Sequence, residues 1–354
     1  MVFILLGGVS PAFAATITFT VNPLVVSGPI SPYIYGANSG IPNVNNTLFR
    51  SGGNRLSAYN WETNWSNAGS DYFFENDTLM GSVTDGPGWA FTSFYTQNKA
   101  AGADSLVTLQ LAGYVSANGE TAVQVPAADY MKAPGLTDPN ANFYPVTFVK
   151  GAPYSDPPNA SDGVVYTDEM VNFFVNHLGS STAGGIKFYD LDNEPGAWAS
   201  VHAEIHDYPV SYFEVATKGI TVASQTTLID PGAQILGPVC YGWGDAINMN
   251  SAPDHAGYDA TYDNGNWVPF LNYYLAQMNT ASTAAGRRLL HYLDFHAYSE
   301  GTDAAGNRIN NADVSQDAAT TRMQLPRELW DPTYIENNWI YSYYGKSEPL
   351  TLIP

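Results

Sequence analysis

From residue 33 onward, short apolar runs alternate with stretches long enough for a helix. The runs are "YIYGA" (33–37), "LFRSGGN" (48–54), "SLVTLQL" (105–111), "IKFYDLDNEP" (186–195), "QILGPV" (234–239) and "YLDFHAY" (292–298). They predict about six strands, with Gly, Asn, Asp, Glu, His and Tyr collecting where they end. Between them lie amphipathic segments, among them Thr167 to Leu178, where Met170, Phe173, Phe174 and His177 recur near helical spacing, and Val210 to Asp230. Strand and helix in alternation predict an α/β fold with parallel strands, written in the order of a (β/α)8 TIM barrel of which about six of the eight strands are present. A doubly wound sheet is the competing fold. It lacks support because no Gly-rich phosphate turn follows an early strand, "SGGNR" being too short and wrongly spaced.

Upstream, "TITFTVN" and "LVVSG" (16–28) alternate like antiparallel strands, so residues 15–32 are expected to belong to a flanking β-sandwich and 33–354 to an incomplete TIM-barrel domain. Residues 1–14 read as part of a secretory signal peptide, an apolar run closed by Ala12-Phe13-Ala14, although no Lys or Arg precedes Arg50. Secretion is the expected localisation.

Composition narrows the partners. A formal net charge of −20 over 354 residues disfavours nucleic acid and anionic membrane surfaces. Aromatic residues make up 14% of the chain, and many Trp and Tyr lie in Gly- and Asn-rich stretches, which suits stacking on sugar rings. Trp61, Trp65, Trp198, Trp243 and Trp330 fall in loops after strand ends and are the candidate stacking platforms. The chain is expected to act as a monomer. One cysteine, Cys240, excludes any internal disulfide.

The run "DNEP" closes the fourth predicted strand and puts Glu194 at the mouth of the barrel, where a carboxylic acid can serve as general acid. Glycoside hydrolysis with retention needs such an acid and a second carboxylate about 5–5.5 Å away. Asn193 is placed to hold a sugar hydroxyl as charge develops, and Pro195, lacking an N–H, turns the chain out of the sheet.

Two metal readings arise. In "HAEIH", His202 and His206 share the spacing of zinc ligands, but Ala203 stands where H-E-x-x-H has its Glu, and paired structural histidines are the stronger reading. A structural calcium fits the acidic loop "SDPPNASDG" better, with Glu62, Asp156 and Asp162 as candidate ligands and a solvated acidic loop as the competing reading. Neither reading is expected to supply a cofactor for catalysis.

Together "SGGNRLSAYNWETNWSNAGSDY", "YDLDNEPGAW", "VHAEIH", "LDFHAYSEG" and "LWDPTYIENNWI" resemble glycoside hydrolase family 44, over nearly the whole chain from Thr16. The resemblance implies a retaining endo-β-1,4-glucanase acting on cellulosic or xyloglucan-type β-glucans, on a barrel flanked by a β-sandwich. It implies Glu194 as acid/base with Asn193 beside it, Arg50 as the Arg aimed at the nucleophile, and His296 and Tyr298 as polar groups facing the cleft. The nucleophile of such barrels is a Glu ending strand seven. Glu300, Glu328, Glu336 and Glu348 are the only later glutamates, and none ends an apolar run, so the nucleophile is expected beyond Pro354 and the chain is expected to be truncated and inactive alone. A non-catalytic glycan-binding or structural module is the alternative, as is a zinc hydrolase built on "HAEIH".

Overall fold

The computed structural model describes residues 28–38, 45–119, 142–256, 269–309, 313–329 and 331–340. Six parallel strands form one sheet: β1 (Gly36–Asn38), β2 (Leu48–Ser51), β3 (Asp104–Leu109), β4 (Phe188–Leu191), β5 (Gln234–Cys240) and β6 (Tyr292–Phe295). Their order in the sheet is their order in the chain. A doubly wound sheet reverses its order at a switch point, so this sequence of neighbours excludes it.

Register shows how the sheet curls. Arg50 is level with Leu106, and Leu106 with Phe188, while Asp190 is level with Leu236 and Leu236 with Tyr292. In an eight-stranded barrel of shear eight, a layer across the axis climbs about one residue per strand. The layer through Arg50 on β2 therefore continues to Asp190 on β4 and Asp294 on β6. The side chains agree, because Arg50 Nε donates to Asp190 Oδ2 at 2.5 Å across the intervening strand. One layer below stand Leu48, Phe188 and Tyr292, with the Phe188 and Tyr292 rings 6.1 Å apart. Tyr33 closes that end, its ring edge-on to Phe188 and its hydroxyl held between Asp104 and Lys187. The molecule is thus an α/β, TIM-barrel-like sheet with a charged upper layer and an aromatic lower one.

Helices α1 (Trp89–Ala100), α2 (Thr167–Leu178), α3 (Tyr212–Ile229) and α4 (Phe270–Ala285) cover the outer face, and α5 (Gln316–Gln324) follows β6. Helix α2 runs over the span predicted for it, with Asp168 and Glu169 in its first turn and Gly179 just past its end at φ 90°. Helix α3 starts where the Ser211 side chain accepts the Glu214 N–H. Phe91, Phe174, Val222, Phe270 and Tyr274 carry the helices onto the sheet. Strand β4 is buried throughout, which is why its sequence is an apolar run and not an alternation.

Most strands end before their expected runs do, β2 at Ser51 and β4 at Leu191, and the first and last differ most in kind. At 33–37 the chain makes a 3-10 turn, Pro32–Ile34, capped by the Ser31 side chain, and β1 begins only at Gly36. Strand β6 ends at Phe295, three residues earlier than expected. The leader and nearly all of the expected sandwich strands, up to residue 27, lie outside the described residues.

Candidate active site

The upper end of the sheet is built from the loops that leave β2, β4, β5 and β6. After β4 the backbone turns through two left-handed residues, Asp192 (φ 66°) and Glu194 (φ 48°), before the 3-10 turn Pro195–Ala197. Side chains other than Gly, Asn and Asp rarely take that conformation, so outside contacts must hold it. Asp192 is buried and accepts from the Leu111, Ala112 and Asn193 amides and the Ser57 hydroxyl. The Glu194 amide donates to Val239 O at 2.9 Å, a carbonyl exposed by the register shift between Pro238 and Cys240 in β5.

Glu194 and His296 meet, with Oε1 and Nδ1 2.7 Å apart. Beside them Arg50 Nη2 donates to Asn193 Oδ1 at 3.0 Å, and Asn193 Nδ2 donates to Asn54 Oδ1 at 3.0 Å. Four expected site residues, Arg50, Asn193, Glu194 and His296, therefore come together. Burial pushes the Asp190 carboxyl well above the usual range, with the Arg50 guanidinium opposing and Asp294 adding to the rise. Arg50 is held chiefly by Asp190, Asn193 and this charged layer.

The aromatic candidates divide. Trp61 and Trp198 are fully buried and cannot stack on a ligand. Trp61 packs on Phe173 at 5.4 Å, and Trp198 donates its Nε1–H to Asn193 O at 2.9 Å, so both belong to the core. Trp65 is half-buried, its ring occupying the space a side chain at Gly119 would need. Trp243 is also half-buried, edge-on to Phe295 at 5.8 Å, and with Tyr298 and Arg322 lines a cavity of about 350 Å³. Tyr298 itself is 61% exposed, its ring 6.4 Å from that of His296. Trp330 lies outside the described residues.

The histidines of "HAEIH" spend both ring nitrogens on protein. His202 meets Glu204 and Asn54 O, and His206 meets Tyr208 O and Glu214. Among the candidate calcium ligands, Glu62 and Asp162 are near enough for the charge of one to act on the other. Asp156 pairs with His177 at 2.9 Å, and Asp162 accepts the Val164 N–H of its own loop. Among the described residues no group of three or more His, Cys, Asp or Glu is arranged to hold a metal ion. Burial pushes Glu62 up to about 8, with the charges of Asp162 and Glu169 adding and Lys150 opposing. A carboxyl raised above its unfolded value stabilises below the unfolded value and loses that contribution as pH rises through the folded one. Melting measured from pH 4 to 9 should therefore fall for the wild type as Glu62 ionises and fall less for Glu62→Gln; parallel curves would remove Glu62 as the source.

Asp190, Asp192, Asp245, Asp294 and Asn54 were not among the expected site residues. The first two stand inside "YDLDNEP", where alternation along a strand already sends one inward and leaves the other at the turn. Asp245, on the short helix Trp243–Asn248, has no pattern around it that marks it.

The family model of glycoside hydrolase family 44 matches residues 65–301. Endoglucanase A of Paenibacillus lautus is 39% identical over 348 residues, covering 96% of this chain and 48% of that protein. Beta-mannanase/endoglucanase A of Caldicellulosiruptor saccharolyticus is 36% identical over 363 residues, 96% of this chain and 26% of that protein. A family 44 xyloglucanase of Paenibacillus polymyxa, solved with xyloglucan, superposes with a TM-score of 0.82 at 38% identity, over 91% of this chain and 62% of that one. The family 44 endoglucanase of Clostridium thermocellum gives 0.81 at 38% identity, with the same coverage. This chain thus spans about half the length of the first curated relative, about a quarter of the second and under two thirds of these solved chains. With the family matched across the strands that carry Glu194 and His296, and relatives this similar over nearly all of its length, the chain belongs to glycoside hydrolase family 44.

Proposed function

We propose that the chain carries the acid/base side of a secreted, retaining endo-β-1,4-glucanase acting on cellulosic or xyloglucan-type β-glucans. The observation that carries this reading is Glu194 at the end of β4, held on a left-handed backbone with its carboxyl against His296. Related proteins named endoglucanase and xyloglucanase support the substrate class. Glu194 protonates the leaving glycosidic oxygen and then, as carboxylate, takes a proton from the water that releases the sugar. Asn193, buried with Arg50 on its amide oxygen and Asn54 on its NH2, fixes the backbone that carries Glu194 and must turn its amide out of these contacts to meet a sugar hydroxyl. The nucleophile is assigned to none of the described carboxylates. No helix among the described residues is long and apolar enough to cross a membrane.

The test is to incubate this chain, and beside it a chain that includes the nucleophile, with soluble xyloglucan and with an unbranched β-1,4-glucan, count reducing ends, and monitor the first-formed anomer by proton NMR; only the second is expected to turn over. Initial release of the β-anomer supports retention, whereas initial α-anomer would overturn it. Trp65 serves in this reading as a stacking platform. Trp65→Ala should weaken cello-oligosaccharide binding by about 0.5–2 kcal/mol, the range expected for a partly covered ring. Calorimetric titration checks this, and unchanged affinity with a lowered melting temperature would return Trp65 to the core.

A further inference from the structure

The loop that carries Glu194 is tethered at three points. Trp198 Nε1 holds Asn193 O, Val239 O holds the Glu194 amide, and the third tether is Asp245. Asp245 is fully buried, and one of its oxygens, Oδ2, accepts the Gly196 amide at 3.2 Å and the Tyr241 amide at 3.0 Å. One of those amides belongs to the loop after β4 and the other to the loop after β5. Its second oxygen, Oδ1, is buried with no hydrogen-bond partner among the described residues. The carboxyl lies so close to the backbone of Gly196 that a Cβ there would stand 1.8 Å from Oδ1. Only glycine lets the two surfaces meet.

We propose that Asp245 is the positioning residue of the acid/base loop, its single carboxyl clamping the Gly196 and Tyr241 amides together so that Glu194 is fixed against His296. The inference rests on the reading of Glu194 as acid/base. A backbone at φ 48° does not hold itself, and a misplacement of about 1 Å in a reacting group costs about 10²-fold in rate.

The surroundings show which form of Asp245 does this. Cys240 and Tyr241 face it from the end of β5, and Glu194 faces it from the loop after β4. Glu194 in turn is faced by His296 from the end of β6 and by Arg50 from β2. Burial raises Asp245 to about 7, the charge of Glu194 adding to the rise and the two amides opposing it. Below that pH the carboxyl keeps its proton and clamps as a neutral acceptor, for which asparagine is the isostere. Above it the wild type alone gains a negative charge beside the acid.

The experiment compares Asp245→Asn and Asp245→Ala with the wild type, each in a chain that includes the nucleophile, by kinetics on a soluble β-glucan from pH 5 to 9 and by crystal structures of all three. Asp245→Ala should lower kcat about 10²-fold with KM within about twofold, and the Glu194–His296 contact should be lost. Asp245→Asn should keep that contact and a near-normal kcat below pH 7, then lose activity at lower pH than the wild type on the alkaline side. A merely structural role would lower the melting temperature without reshaping the profile. An intact Glu194–His296 contact in Asp245→Ala, or an Asp245→Asn profile that tracks the wild type across pH 7, overturns the proposal. Should the alanine variant fail to fold, the asparagine profile decides. If the wild type hydrolyses no β-glucan even in a chain that includes the nucleophile, the acid/base reading fails, and the crystallographic comparison still decides whether Asp245 is the clamp.

Discussion

In a chain that includes the nucleophile, Glu194→Gln is expected to lower turnover on an unactivated β-glucan by about 10²–10⁴-fold, while oligosaccharide affinity stays nearly unchanged. The amide keeps the shape of the carboxyl and can still meet His296, so the loop that Trp198 and Val239 tether has no reason to move. What the variant loses is the proton. An unactivated sugar is a poor leaving group without protonation, so the first step suffers most on natural glycan and least on a substrate with an acidic phenol. The second step then has no base, and added azide should restore turnover on the phenolic substrate by replacing the water that Glu194 would have activated. Rates on polysaccharide within about threefold of wild type would remove Glu194 from the acid/base role. Loss of binding in parallel with loss of rate would instead make it a substrate-holding group.

Strands β3, β4 and β5 are legible because they are buried over most of their length and are written largely as apolar runs, while β2 alternates between half-buried and buried positions; the burial of β4 also makes its exit into Glu194 legible. Strand β1 was not, because Tyr33 and Ile34 look like strand residues while Pro32 and the Ser31 cap impose a turn that sends the Tyr33 ring under the sheet. Trp61 and Trp198 were expected in open loops on the strength of their polar, Asn-rich neighbours. Those neighbours are polar for a different reason. Asn60 Nδ2 donates to Ser116 O, and Asn64 Nδ2 donates to Ser82 O and Gly86 O, so buried amides replace the partners that irregular backbone lacks. Loops that fold back over a barrel end carry such residues into the interior, and composition alone reads them as solvent-facing. The same physics hid Asp245, whose importance comes from two amides that only the fold brings together.

Asp192→Ala should destabilise the protein by roughly 2–5 kcal/mol, because it removes a buried acceptor from several neutral donors at once. Asp192 lies where the exits of β2, β3 and β4 share an acceptor: it takes Ser57 Oγ at 2.5 Å, Leu111 N at 2.5 Å, Ala112 N at 2.9 Å and its own neighbour Asn193 N at 2.7 Å. Alanine leaves all four donors without that oxygen pair, and each buried donor left unpaired costs about 1–3 kcal/mol before any water enters to repair it. It also places a side chain with no local hydrogen bond at φ 66°, a conformation Asp tolerates better. Asp192→Asn separates the two effects, since it keeps the backbone preference but turns an NH2 toward groups that are themselves donors. Urea unfolding should therefore rank wild type above asparagine and asparagine above alanine. Because the next two residues are Asn193 and Glu194, turnover of the folded fraction should fall with stability, the strain of the left-handed turn being released into the group that must stay aimed. A loss below about 1 kcal/mol for alanine would mean that Trp198 and Val239 hold the turn without help.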